Sequence, residues 1–465
     1  MAAAQSLNRL PAELIFKIHD LLDPVDQVHF CSTTRLLRET AIYQWHLFRT
    51  ISVAVRDEIA STSALLAARR YGCLVRELRL IVGPPSCRDS FCRCREVEEG
   101  EEDDEISSEW ETDEDDYDTM LPDSALALIR AGNADGGLLF PHLEEMIIQF
   151  PDSDAFGSDH ASVYFDDEDL GELKDLALDN DDMADVVLTT LADPAYPKPL
   201  IKALSILHLP PVHSYAFGSK GLDSILSRVQ TFELSVFGEV DKPTRCWSSN
   251  GQVDYLNYFN DFPSGIFDRL SSVKSLKFHG SPHAPLGFKG TPDEGLGAAL
   301  PDALTSQLSR MPFLEELELS NIVVGPELEA LFKDYSRVRR RKPLSLRLIN
   351  VCAEASSEYT WARLFKLLVE RPVVVNRFEM SIRGGSIEPV MHEGDVVSAM
   401  AKVSADAQAL LDSNAANRAF SYAVSDDRIF VDCHFTNAEG VTKGEDQAAY
   451  NTFMETVKAA AAASP

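Results

Sequence analysis

The residue pattern predicts an α/β chain: three short N-terminal helices, a stack of strand-and-helix units, and a closing α+β segment. Three observations carry that prediction. A six-residue phrase, apolar then two spacers then apolar–x–apolar, returns along the middle of the chain. Apolar residues recur at helical spacing at both ends. Negative charge is concentrated rather than spread, since residues 96–118 hold 15 Asp or Glu and no Lys or Arg.

The N-terminal stretch "LNRLPAELIFKIHDLLDPVDQVHF" (7–30) begins with Pro11, which suits a first helical turn because its missing N–H has no partner there. Leu14, Ile15, Ile18, Leu21 and Leu22 then form one apolar stripe. Asp23 caps a second short helix that starts at Pro24 and carries Val25, Val28 and Phe30. A third helix spans about 33–46 and ends near Trp45. Helices this few enclose little volume for their surface, so part of the stripe seeks a partner. That partner is either the rest of the chain, with these helices as a structural cap, or another protein.

The segment 96–118 is expected to stay solvated, because like charges repel and apolar residues are scarce. Ser108 and Thr112 each have an acidic residue three places on, the pattern preferred by casein-type kinases.

The phrase itself appears at 75–80, 143–148, 173–178, 201–206, 229–234, 273–278, 314–319 and 375–380, with a partial copy at 342–348. Several successive copies stand about 28 residues apart, the length of one short strand plus one helix. Alternation over four residues gives a strand with one buried face, and the apolar residue three places earlier anchors the chain leading into it. Helical spacing fills the intervals, as in "EDLGELKDL", "MADVVLTTLA" and "GPELEALFKDY". No such unit buries its apolar face alone, so neighbours must stack. The residues between the buried ones then share the opposite face. Among them Asp175, Asp179, Glu233, Lys277, His279, Glu318, Arg347, Arg377 and Glu379 are the candidates for holding a target protein. Their mixed charge suits a polar, protein-sized surface rather than an apolar ligand pocket. After the repeats, 394–413 and 443–463 read as helices around a hairpin turning at Ser425-Asp426-Asp427, a cap for the open end of the stack.

A formal charge of -31 argues against nucleic acid or an anionic membrane as the main partner. No run of about 18 apolar residues is present, and charged residues interrupt the N-terminal apolar stretch. The eight cysteines show no framework of spacings, so reduced thiols in the cytoplasm or nucleus are expected. "CRDSFCRC" (Cys87, Cys92, Cys94) lacks zinc-knuckle spacing. "RVRRRKP" (337–343) reads either as a nuclear-import signal or as a solvated helix end leading to a turn. Phosphate loops, dinucleotide fingerprints, zinc-protease motifs and nucleophile elbows are all missing, so neither enzymatic action nor a cofactor is expected.

Two resemblances complete the reading. The repeats are similar to an irregular leucine-rich-repeat solenoid, with Asn180 and Asn321 near the asparagine position of that repeat. Leu10-Pro11, Glu13-Leu14, Ile18, Leu22-Asp23-Pro24 and Trp45 together resemble an F-box, which departs from the usual leucine pair at Gln27-Val28. The whole chain looks similar to fungal F-box proteins of the leucine-rich-repeat kind. This resemblance implies an F-box at 6–50, a solenoid at 51–385 and a capping segment at 386–465. It also implies a substrate-recruiting role in a ubiquitin ligase. Leu10, Pro11, Leu14, Ile18, Leu21 and Val28 would dock a Skp-family adaptor and through it a cullin, while the repeats hold a protein substrate. A leucine-rich-repeat scaffold outside any ligase is the alternative.

Overall fold

The computed structural model describes residues 17–18, 21–22, 30, 48–83, 121–132, 136–151, 183–210, 214–238, 240–241, 246–247, 264–281, 285–287, 308–336, 342–355, 357–371, 373–382, 396–414, 417–426 and 429–463. Parallel strands succeed one another across the molecule in chain order. They are β1 (Thr50–Ala54), β2 (Glu77–Ile81), β3 (Glu145–Gln149), β4 (Ala203–Leu209) and β5 (Thr231–Val236). A two-stranded ribbon, β6 (Val240–Asp241) and β7 (Cys246–Trp247), intervenes in sequence. The series resumes with β8 (Ser275–His279) and β9 (Glu316–Ser320), passes the short β10 (Val323–Val324), and continues through β11 (Leu344–Glu354) and β12 (Val375–Ile382).

Alternation decides which side is buried. Leu78 and Leu80, Met146 and Ile148, Leu204 and Ile206, Phe232 and Leu234, Leu276 and Phe278, Leu317 and Leu319, and Leu346 and Leu348 are all essentially inaccessible. So are the anchors ahead of the strands: Val75, Leu143, Ile201, Val229, Val273 and Leu314. Just after each anchor the backbone is tied to the previous unit. Glu144 N donates to Arg76 O, Lys202 N to Glu144 O, Gln230 N to Lys202 O and Lys274 N to Gln230 O, at 2.7–2.8 Å. Anchor and alternation together hold the register, because a one-residue slip would expose every leucine.

The helices cover that buried side. α1 (Glu58–Tyr71) starts at Asp57, whose carboxylate accepts from Ala60 N at 2.9 Å. α2 (Asp123–Arg130), α3 (183–192), α4 (Lys220–Leu226), the single turn α5 (Ser264–Phe267), α6 (Pro326–Tyr335) and α7 (Trp361–Glu370) follow. Leu128, Leu188, Ile225, Phe267, Leu331 and Phe365 join the strand leucines in one continuous core. α4 presses on the end of α3 so closely that a Cβ on Gly221 would stand 1.7 Å from the Ala192 carbonyl oxygen, so glycine is required there.

At the far end, α8 (Val396–Ser413), the hairpin β13 (Tyr422–Asp426) and β14 (Ile429–Asp432), α9 (His434–Lys443) and α10 (Glu445–Ala463) close the molecule. Phe420, Tyr422, Phe453 and Val457 belong to the same core as the sheet. Phe365 is ringed by Trp361, Phe378, Phe420, Tyr450 and Phe453. Asp446 fastens three elements together. Its carboxylate accepts from Ala362 N (2.8 Å) at the start of α7 and from the Tyr422 hydroxyl (2.7 Å) on β13. Burial pushes the Asp446 carboxyl above its ordinary value.

β11 is the longest strand. Its first half lies between β9 and β12, while Cys352–Glu354 pair with β10 and β13. Asn350 stands at the change of register with φ of 56°, and Asn321 just after β9 has φ of 55°. Asparagine tolerates this left-handed geometry because its side chain bonds locally. Asn350 Nδ2 donates to Asn321 Oδ1 (2.5 Å), and Asn321 Nδ2 donates to Gly280 O (2.6 Å).

Four expectations need correction. β1 belongs to the sheet although its "TISVA" lacks the full phrase. β3 bonds directly to β4, so no strand stands between them, and the phrase at 173–178 with Asn180 lies outside the described residues. Ser425 and Asp426 are strand residues, paired with Phe430 and Ile429, rather than part of the turn. Residues 434–443 form a helix that is absent from the expected order of hairpin followed directly by the helix at 443–463; Gly444, with φ of 70°, separates it from α10.

Candidate functional site: the exposed face of the sheet

The strand residues that point away from the helices form registered rows. One row runs Ser52, Arg79, Ile147, Ser205, Glu233, Lys277, Glu318, Arg347, Glu379, one residue from each strand in turn. Five of the nine sequence candidates are therefore consecutive neighbours. His279 lies one pleat along from Lys277, and Arg377 one pleat back from Glu379. Asp175 and Asp179 lie outside the described residues.

From β4 onward the row is knitted by charge. Ser205 Oγ donates to Glu233 Oε2 (3.3 Å), and Lys277 Nζ stands 3.4 Å from the same oxygen. Glu318 is only 8% exposed, yet two partners meet its carboxylate: His279 Nε2 at 3.0 Å and the Arg347 guanidinium. Arg347 Nε also donates to Glu379 at 2.9 Å, and Arg377 Nε donates to Glu379 at 3.0 Å. Hydrogen bonding from Arg377 holds Glu379 below the usual carboxylate range. Burial pushes His279 below the ordinary imidazole value, against the opposite pull of Glu233 and Glu318.

The first strands contribute differently. In the next row Thr50, Glu77, Glu145, Ala203, Thr231, Ser275, Glu316, Ser345 and Arg377 stand in register, so two carboxylates, Glu77 and Glu145, face each other on β2 and β3. Burial, followed by the Glu77 charge, raises Glu145 above the usual carboxylate value. Arg79 reaches Glu77 only at 3.9 Å. Apolar groups sit beside this pair: Ile147 in the central row, then Ile81 and Leu207 flanking Gln149. Glu77, Arg79, Glu145 and Ile147 were not singled out in the sequence reading. The spacer positions of "VRELRL" and "LEEMII" mark them by the same alternation that marked the later strands.

Of the N-terminal candidates, Leu10, Pro11, Leu14 and Val28 lie outside the described residues. Ile18 is half-buried within a helical turn, its carbonyl accepting from Leu21 N at 3.2 Å, and Leu21 is 86% exposed. Cys87, Cys92, Cys94 and residues 337–341 are likewise outside. Lys342, which follows them, pairs with Glu315. Among the described residues no group of three or more His, Cys, Asp or Glu is placed to hold a metal, and no helix is long and apolar enough to cross a membrane. Neither a comparison with protein-family models nor one with curated proteins returned a match.

Proposed function

We propose that the chain is the substrate-recruiting F-box subunit of a Skp–cullin ubiquitin ligase. It would serve as an adaptor, with ubiquitin supplied by a partner enzyme. Residues 6–50 dock the Skp-family adaptor through Leu10, Pro11, Leu14, Ile18, Leu21 and Val28. An irregular leucine-rich-repeat solenoid holds a protein target on its exposed strand face, and the C-terminal segment caps it.

One observation carries the reading: parallel strands follow one another in chain order behind a sequence segment that opens Leu10-Pro11, and among the described residues they leave a polar face open. That face is wide, registered and studded with charge, which suits a protein surface. The two left-handed asparagines, Asn321 just after β9 and Asn350 within β11, support a repeat origin, since the same geometry recurs at equivalent positions. The exposure of Leu21 supports an apolar stripe available to a partner. Co-expression with a Skp-family adaptor tests the proposal. The wild-type chain co-purifies with the adaptor, and the double substitution Leu10→Ala/Pro11→Ala abolishes recovery. Equal recovery of wild type and variant would assign the N-terminal helices to a structural cap instead.

A further inference from the structure

The exposed face is uneven, and the unevenness points to a kind of partner. Among the described strand residues of the β5–β12 half, each cation on this face already has a carboxylate: Lys277 has Glu233, Arg347 has Glu318 and Glu379, and Arg377 has Glu379. The β1–β4 half has two carboxylates in direct register, Glu77 and Glu145, and one arginine at the edge of ion-pair range. Like charges placed directly opposite on adjacent strands cost stability. The arrangement therefore stands as a local conflict that a bound cation would relieve. Beside it the exposed Ile81 and the half-buried Leu207 offer apolar area on a face that is otherwise polar, while Ile147 between them is buried. The chain's charge of -31 adds a long-range attraction for cations.

We propose that the β1–β4 half of the sheet face docks a basic segment of a target protein, with Lys or Arg against Glu77 and Glu145 and an aliphatic side chain over Ile81 and Leu207. The inference rests on reading the sheet face as the target-binding surface and narrows it to one half and one chemistry. Registered strands stand about 4.8 Å apart, so one ammonium group can lie between the two carboxylates. An anionic partner would meet their repulsion here, and on the other half it would have to break existing ion pairs.

The test uses the full chain without any adaptor, so its outcome is independent of the co-purification experiment. Fluorescence anisotropy is measured with a labelled peptide of three Lys-Leu-Lys-Ser repeats, its Glu-Leu-Glu-Ser counterpart, and a Lys-Ser-Lys-Ser version. The expected result is binding of the first peptide, weakened about fivefold by each of Glu77→Gln and Glu145→Gln. Weaker binding of the leucine-free peptide is also expected. Glu445→Gln/Glu455→Gln on α10 is the control for general attraction to an acidic chain and should change binding little. Equal weakening by that control pair would overturn the proposal, as would binding of none of the peptides. Preferential binding of the acidic peptide, lost on Lys277→Gln/Arg347→Gln, would also overturn it while leaving the sheet face as the target surface. Thermal melts show whether each variant is folded, and both glutamine variants at 77 and 145 should melt no lower than wild type.

Discussion

The two halves of the exposed sheet face are built from the same phrase and differ in what their spacer residues do. From β5 to β12 acid and base alternate from strand to strand, so the face neutralises itself through Glu233, Lys277, Glu318, Arg347 and Glu379. From β1 to β4 two glutamates oppose each other beside aliphatic residues. A repeated backbone thus dictates where spacer side chains meet but leaves their chemistry free. One half has used that freedom for internal pairing; the other keeps two like charges in register, with Glu77 held only by the Thr50 hydroxyl at 3.2 Å and by Arg79 at 3.9 Å.

Three substitutions or conditions probe this contrast, beginning with the largest effect. Glu318→Ala removes a nearly buried carboxylate that serves both His279 and Arg347, and should cost about 2–3 kcal/mol in urea unfolding. A loss below about 0.5 kcal/mol would mean that the paired half is no better knit than the other.

Acidification acts on the same half more gently. His279 is held below the ordinary imidazole value of 6.5, so the unfolded chain binds the proton more readily. The stability this group supplies is present above that value and is lost as pH falls through the lower folded one. The melting temperature should therefore drop over that window, by less than Glu318→Ala lowers it, and His279→Gln should flatten the dependence.

Glu145→Gln should have the smallest effect and the opposite sign. Because Glu145 is raised in the fold, its charge is unfavourable at pH 7, and the penalty fades as pH falls through the raised value toward 4.5. The variant should gain about 0.5 kcal/mol at pH 7 and match wild type near pH 4.5. Destabilisation at pH 7 would show that the β2–β3 carboxylates are not in conflict.

Much of this is legible in the amino-acid sequence. Alternation such as Leu317-Glu318-Leu319 has period two and a buried anchor ahead of it, so strand, face and register follow together. The five central candidates accordingly stand side by side. What escaped was non-periodic or relational. β1 has Ile51 and Val53 but no anchored phrase, and it is held by its partner β2 rather than by its own pattern. The phrase at 173–178 satisfies the pattern, yet the direct β3–β4 pairing depends on which segments meet in space. Residues 434–443 contain Asn437 and Gly440, weak helix formers, and it is Asn437 Oδ1 accepting from Tyr422 N that ties this helix to the hairpin. The conflict between Glu77 and Glu145 spans 68 residues of sequence and appears only when the strands are aligned.

The shared strand β11 also bears on how the molecule comes apart. A stack of units can fray one unit at a time from either end, each rupture breaking a single interface. At the C-terminal end that route is obstructed. β12 and β13 both hang on β11, and Asp446 ties α10 to α7, so the last unit cannot detach without the hairpin and helices going with it. Under a pulling force, or in a protease that threads chains from one end, opening should therefore start at β1 and travel toward β11, and the C-terminal block should yield last and as one event.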